Sequence, residues 1–316
     1  MQIFRHIARI FRVFWIWIPS SSAAQQKLQT ALLSIRKIRV IRGSSPAEFC
    51  RTSVFGVNAQ VPSESPSGIA LFDLDGTLLA WDTQLLFRHH VIRSEPWRAL
   101  FLPLYLASLA CFPILKLGGL KRSFLSYLWR MPAPALAAHA RAFAASIVPT
   151  VYPELREALE NHRRQGHFLI LSSASPEFYV AEIGRALGFH LALGTELPSS
   201  SSCPLFPKLV NHKGTTKVER LLRLLPPSYF SGGLLSRSHG YTDSRADLPM
   251  LALCHSASVV NPDAALTALA RAAGWQILRP SRPWRNRADF WWRSLALLTG
   301  IGRLPAAYPP VPARGE

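Results

Sequence analysis

The stretch Ile69-Ala70-Leu71-Phe72-Asp73-Leu74-Asp75-Gly76-Thr77-Leu78 decides how the rest of the chain is read. A short apolar run ending in two acids and a glycine predicts a buried strand, Ile69–Asp75, followed by a sharp turn. Acids at i and i+2 of an extended segment point to one side, so Asp73 and Asp75 can reach one reacting group. Gly76 lets the backbone reverse there. Two buried carboxylates this close are costly without a cation, which disfavours a purely structural pair made of a strand-end acid and a helix cap.

The strand pattern recurs at Phe168–Ser172, Leu191–Leu197, His239–Asp243 and Ala257–Val260, with helical stretches at Pro176–Leu187, Thr216–Leu225 and Ala264–Ala273. Strand–helix alternation predicts a parallel sheet covered on both faces, with ligands beyond the carboxyl ends of its strands. Residues 83–150 are rich in Leu and Ala and carry no strand pattern, so they read as an all-helical cap inserted after the first strand. The expected organisation is a core of 67–82 and 151–280, the cap at 83–150, a basic extension at 1–66 and a basic aromatic tail at 281–316.

The 316 residues hold 36 Lys+Arg against 18 Asp+Glu, a formal +18, and nearly half are apolar. That excludes wholesale disorder and suggests an anionic partner, nucleic acid or an acidic membrane face, unless it reflects an Arg-favouring genome. Much of the excess lies before Glu48, the first acid. This extension reads as a membrane-surface helix, a transit peptide or an upstream misassigned start, and Pro62–Gly68 as a linker. Cys50, Cys111, Cys203 and Cys254 form no CxxC pair or Cys/His cluster, so neither a zinc site nor a disulfide framework is expected, and a reducing compartment fits.

Three further pieces fall at strand ends or helix starts. In Leu169-Ile170-Leu171-Ser172-Ser173-Ala174-Ser175-Pro176 a hydroxyl at a strand end, before a helix, can donate to a phosphate oxygen. Gly214-Thr215-Thr216-Lys217 opens a helix with a cation. In Gly240-Tyr241-Thr242-Asp243-Ser244-Arg245-Ala246-Asp247, Asp243 ends a strand and Asp247 lies one helical turn on, hard oxygen donors of the kind Mg2+ takes. Each has a bland alternative: an N-cap serine, a surface lysine, a capping acid.

Together, in this order, the DxDGT motif, the strand-end serine, the lysine and the DxxxD pattern resemble the haloacid dehalogenase superfamily over about residues 68–280. The cap position and GYTDSRADLPML followed by VVNPD look like subclass IB, the phosphoserine phosphatase-like hydrolases. The resemblance implies a Rossmann-like doubly wound α/β fold with a C1-type cap, and a Mg2+-dependent phosphatase acting through an aspartyl-phosphate. It gives Asp73 as nucleophile and Asp75 as acid–base. Ser173 would bind phosphate, with Ser172 as fallback, as would Lys217, with Lys213 as a substitute. Asp73, the Asp75 carbonyl and Asp243 would hold Mg2+, and Asp247 would support them. Asp82 falls where phosphoserine phosphatases carry a substrate-binding acid, usually Glu, and that departure puts serine phosphate in doubt.

Within the cap, Ala99–Leu115 holds 17 residues without a charge, bounded by Arg98 and Lys116. As one helix it would reach roughly 25 Å, slightly short of a bilayer core, with Pro103 and Pro113 bending it. It has no polar face, unlike a soluble amphipathic helix. This cap and the GYTDS segment are similar to those of the phosphatidylglycerophosphatase C family, which implies a lipid phosphate substrate and contact with the inner membrane. Phe290–Leu298 reads as a second interfacial segment or as a helix packed on the core. The expectation is therefore a membrane-associated phosphatase at the cytoplasmic face, acting on a lipid such as phosphatidylglycerophosphate. The alternative is a cytoplasmic phosphatase for a small metabolite. Nucleic-acid binding is not expected, because an acidic catalytic set fills the middle of the chain.

Overall fold

The computed structural model describes residues 61–198, 201–304 and 308. The extension expected over 1–66, and Cys50 within it, lie almost wholly outside the described residues. Strand β1 (Ile69–Phe72) leads into a run of helices joined by 3₁₀ turns: α1 (Thr83–Ser94), α2 (Leu102–Ala110), α3 (Phe112–Phe124) and α4 (Ala133–Ile147). Helix α5 (Pro153–Arg164) returns the chain to β2 (Phe168–Pro176), and α6 (Glu177–Ala186) carries it to β3 (Leu191–Thr195). Then come α7 (Thr215–Leu224), a small hairpin of β4 (Phe230–Ser231) and β5 (Leu234–Leu235), and β6 (Ser238–Thr242). The described chain closes with α8 (Leu248–Leu251), β7 (Ser256–Val260), α9 (Ala264–Ala272), β8 (Gln276–Leu278) and α10 (Arg287–Thr299).

Six of these strands form one parallel sheet in the order β3-β2-β1-β6-β7-β8. Alternate residues of β1 serve opposite faces, as the two-residue strand period requires. Ile69 and Leu71 pack with Leu221, Met250 and Leu266, while Ala70 and Phe72 pack with Leu155, Phe178 and Ile183. The sheet is thus the expected doubly wound one, and its connection order reverses beside β1, which puts a ligand site beyond the ends of β1 and β6.

Strand β1 stops at Phe72, three residues earlier than its composition suggests. The carbonyl of Leu74 accepts hydrogen bonds from the N–H groups of Thr77, Leu78 and Leu79, and that turn draws Asp73 and Asp75 off the strand. Strand alternation therefore does not orient the two acids; the turn does. Sequence periodicity also misses β8 and the β4–β5 hairpin. They are two or three residues long and lie partly exposed, too short for a pattern.

The uncharged run 99–115 is not one helix. It begins in a 3₁₀ turn, Pro96–Phe101, continues as α2 and breaks at Cys111 before α3, with Pro103 and Pro113 in the first turns. Among the described residues no helix is long and apolar enough to cross a membrane. The segment Phe290–Leu298 belongs to α10, which packs on α1 with Leu297 and Leu298 buried. Phe290 stacks on Trp81, and Trp284 meets Trp81 edge-on, so the packed alternative for this segment holds.

Candidate active site

The centre is a buried ion cluster at the carboxyl ends of β1 and β6. Lys217, in the first turn of α7, is wholly buried. Its Nζ donates to Asp73 Oδ1 and to Asp247 Oδ2, at 2.8 Å each. Burial alone would lower the lysine pKa, but Asp247 and Asp73 together hold it above its usual range. Gly214, at φ 64°, starts the helix that aims this lysine inward. Lys213 is exposed.

Asp73 faces the lysine, and Asp243 lies across a small gap. The Thr77 hydroxyl is 3.5 Å from both Asp73 Oδ2 and Asp243 Oδ1. Gly76 is required here on two counts: its φ of 78° suits glycine, and a Cβ there would sit 2.2 Å from Asp243 Oδ2. Asp247 lies in a 3₁₀ turn rather than a full helical turn beyond Asp243. It accepts from Thr242 Oγ1 as well as from Lys217.

Asp75 points to the other side of the cleft. Its Oδ1 accepts from the Thr83 N–H at 2.6 Å, and its Oδ2 accepts from Ser175 Oγ at 2.6 Å and Ser173 Oγ at 3.2 Å. Thr83 in turn donates to Ser175 Oγ and to the Tyr179 hydroxyl. Ser172 is turned away, its Oγ 2.9 Å from His212 Nε2, so of the two adjacent serines Ser173 faces the cleft. Asp82 caps α1, its Oδ1 accepting from the N–H groups of Gln84 and Leu85.

Burial sets the electrostatics. Desolvation raises the Asp73 carboxyl to about 7, with Asp247 and Asp75 adding to the rise against the pull of Lys217. Asp243 is held well above the usual carboxylate range by burial first, then by Asp73, Asp247 and Asp75. One lysine thus faces several buried carboxylates, and Asp243 is left without a cation of its own. Such a site fits a divalent ion. Among the described residues no three His, Cys, Asp or Glu side chains converge on one point. Mg2+ does not need that, since it uses one or two carboxylates and keeps several waters. Asp73 and Asp243, flanking Thr77, are the two available here.

The sequence did not single out Thr77, Thr83, Ser175, Tyr179 or Thr242 as site residues, and it read Lys121 only as one of the charges flanking the apolar run of the cap. Thr77 and Ser175 lay inside motifs already quoted, so their neighbours were the available signal. Lys121 had none: it comes from cap helix α3, and its Nζ donates to the Ala174 carbonyl between Ser173 and Ser175 and to Asn211 Oδ1. Burial, then Lys213, lowers it to about 8.

The family model of haloacid dehalogenase-like hydrolases matches residues 70–252. A probable phosphatase of Mycobacterium tuberculosis is 30% identical over 244 residues, covering 71% of this chain and 82% of its own. A histidinol-phosphatase of Neisseria meningitidis is 27% identical over 224 residues, covering 66% of this chain and 97% of its own. A phosphoserine phosphatase of Mycobacterium tuberculosis is 28% identical over 218 residues, covering 66% and 69%.

Proposed function

The chain belongs to the haloacid dehalogenase-like hydrolases, and we propose that it is a phosphatase cleaving a small phosphomonoester through a phosphorylated Asp73. The observation that carries this is the wholly buried Lys217 bridging Asp73 and Asp247, with Asp75 and its serines across the same cleft. A buried charge cluster of this cost is retained where it works on a charged group.

In the proposed sequence a carboxylate oxygen of Asp73 bonds to phosphorus while the ester P–O bond breaks. Asp75 gives its proton to the departing oxygen. Asp75 then takes a proton from water as the water oxygen bonds to phosphorus and the acyl-phosphate bond breaks, which releases phosphate and restores Asp73. Ser173 donates to a phosphoryl oxygen, and Lys217 offsets the charge shared by Asp73 and the phosphoryl group. Asp73, Asp243 and the Asp75 carbonyl would hold Mg2+, with Asp247 fixing Lys217 beside them; the ion supplies positive charge for the phosphoryl oxygens. Asp82 lies beyond Asp75 on the cap side, where the leaving group would go. Its capping bonds leave one oxygen for that contact.

A small soluble ester is favoured because the named relatives act on histidinol phosphate and phosphoserine. A second reading keeps the lipid phosphate. It rests on the exposed apolar residues of the cap, Leu100, Leu106 and Ile114.

The test is Mg2+-dependent phosphate release from histidinol phosphate, phosphoserine, sugar phosphates, phosphatidic acid and phosphatidylglycerophosphate, with wild type beside Asp73→Asn. We expect release from one or more soluble esters, abolished in the variant. Release from lipids alone would favour the second reading. Activity surviving in Asp73→Asn would refute the mechanism.

A further inference from the structure

The serine loop, Ser173 to Ser175 at the end of β2, is not held by the sheet. Strand β1 pairs with β2 only as far as Phe72 beside Leu171. On the other side the register runs to Ser172 beside Leu193 and resumes at Pro176 beside Thr195. Four residue steps on β2 thus answer two on β3, a bulge that leaves the loop outside the ladder and re-aims its side chains. Gly194 makes room for it, since a Cβ there would lie 2.7 Å from the Ser175 carbonyl oxygen. Side chains must therefore fix the loop.

Several of these contacts converge from one short segment, Asn211-His212, just before α7. His212 is 1% exposed, and its Nε2 lies 2.9 Å from Ser172 Oγ. Its backbone N–H donates to Thr195 Oγ1, which donates in turn to the Ala174 carbonyl. Asn211 Oδ1 accepts from Lys121 Nζ, the second donor on that carbonyl. Burial, then Lys217, Arg220 and Lys121, pushes the His212 ring down to about 2, so it stays neutral and serves as a hydrogen-bonding group rather than a charge. Its Nδ1 has no partner among the described residues, an arrangement that costs stability and that an aliphatic side chain would avoid. We propose that His212 is a positioning residue: through Ser172 it fixes the Ser173 hydroxyl relative to Lys217, the two groups that the proposed mechanism sets around the phosphoryl group.

His212 precedes Lys217 by five residues, and Lys217 is itself locked onto Asp73 and Asp247. One end of this short span thus rests on the serine loop and the other on the nucleophile, so the span sets the spacing between hydroxyl and ammonium where the sheet does not. Loss of the Ser172 contact frees the serine end, while the backbone bond at Thr195 holds the rest. The effect falls on the phosphoryl group, which every ester shares, and not on the leaving group. This role of His212 rests on the phosphatase reading, since phosphate is the ligand whose donors it spaces.

The test is calorimetric titration of the full chain with inorganic phosphate in the presence of Mg2+. It compares wild type, His212→Leu, His212→Gln, Ser172→Ala and the double variant Ser172→Ala, His212→Leu. Gln can place an amide group where Nε2 sits; Leu cannot. His212→Leu and Ser172→Ala should each weaken phosphate binding about three- to tenfold, with His212→Gln within about twofold of wild type. The double variant should bind no worse than the weaker single one, because both act through one contact. Turnover of para-nitrophenyl phosphate and of an alkyl phosphate should fall by equal factors. A ring that only fills space would lower the folded fraction and leave the affinity of the folded protein untouched, so unchanged affinity in His212→Leu would overturn the proposal. So would losses that multiply in the double variant, a His212→Gln as weak as His212→Leu, or a wild type that binds no phosphate. If His212→Leu does not fold, Ser172→Ala and His212→Gln decide by the same criteria. Weakened phosphate binding in variants of a wild type that cleaves no ester would leave the role of His212 standing and remove the phosphatase mechanism instead.

Discussion

Ser175→Ala tests whether Asp75 is held ready for acid–base work. Asp75 accepts three hydrogen bonds, and the Ser175 hydroxyl makes the shorter of the two at Oδ2, 2.6 Å against 3.2 Å from Ser173. Asp75 carries its proton when it meets the leaving group, and a hydrogen bond between neutral groups contributes about 0.5–1.5 kcal/mol. Thr83 N–H and Ser173 remain in the variant, so the loss belongs at the low end of that range. The Thr83 hydroxyl also keeps Tyr179 as a partner, which limits damage to the fold. A loss of about 0.5–1 kcal/mol in the orientation of the acid converts to roughly 2–5-fold in rate. The effect depends on the leaving group. An alkyl phosphate needs a proton on its departing oxygen, whereas para-nitrophenyl phosphate departs without one. We expect kcat/KM on phosphoserine to fall roughly 2–5-fold while para-nitrophenyl phosphate is left within about 1.5-fold of wild type. Equal losses on both esters would refute the reasoning, because Ser175 would then be serving phosphate binding or the fold at large.

Two further predictions concern buried charges in and beside the cap. Burial, then the nearby Asp75, raises the Asp82 carboxyl from 3.8 to about 6, so the folded state keeps a proton that the unfolded chain releases. Stability from this group therefore falls as pH rises between those values. Asp82→Asn keeps the helix cap, because Asn caps as well as Asp, and removes the charge. Its stability relative to wild type should improve from about pH 4 to pH 7 by up to about 2 kcal/mol in urea melts, and a pH-independent difference would count against it. Arg88 is wholly buried, with both terminal nitrogens unbonded and only Nε reaching the Leu298 carbonyl at 3.4 Å. It lies over the rings of Tyr127 and Phe124. Arg88→Met should stabilise the protein by about 1–3 kcal/mol in denaturant melts, and a clear loss would mean that the ring contacts outweigh desolvation.

The core was legible because its strands are buried on both faces. Ile69–Phe72 and Ala257–Val260 sit among apolar neighbours on either side, so their composition alone marks them. The acids were legible for the opposite reason: a buried carboxylate without a partner is too costly to be incidental. What the sequence hid is three-dimensional. Nothing local to Lys121 says that it crosses from α3 to the serine loop, and nothing local to Ser172 says that its hydroxyl turns to His212. The run at 99–115 misled in a specific way. Hydropathy counts apolar residues, but it does not see that Cys111 separates two short helices whose proline-bearing first turns start afresh.

The insertion does more than cover the cleft. Its first helix α1 places the N–H of Thr83 on Asp75, and α3 places Lys121 on the backbone between Ser173 and Ser175. A displacement of the cap by an ångström or two would therefore remove a donor from Asp75, the proposed acid–base group, and a cation from the serine loop together. The core keeps Asp73, Asp247 and Lys217 locked together without the cap, because β1, β6 and α7, which carry or lead to them, belong to the core. Asp75 is thus held jointly, by Ser173 and Ser175 of the core and by Thr83 of the inserted helix, and its full set of donors is in place only when the cap is seated. An ester whose leaving group fits beneath α1 and α3 would favour that seating. On the proposed mechanism, selectivity for the leaving group enters at the proton-transfer step more than at phosphate binding.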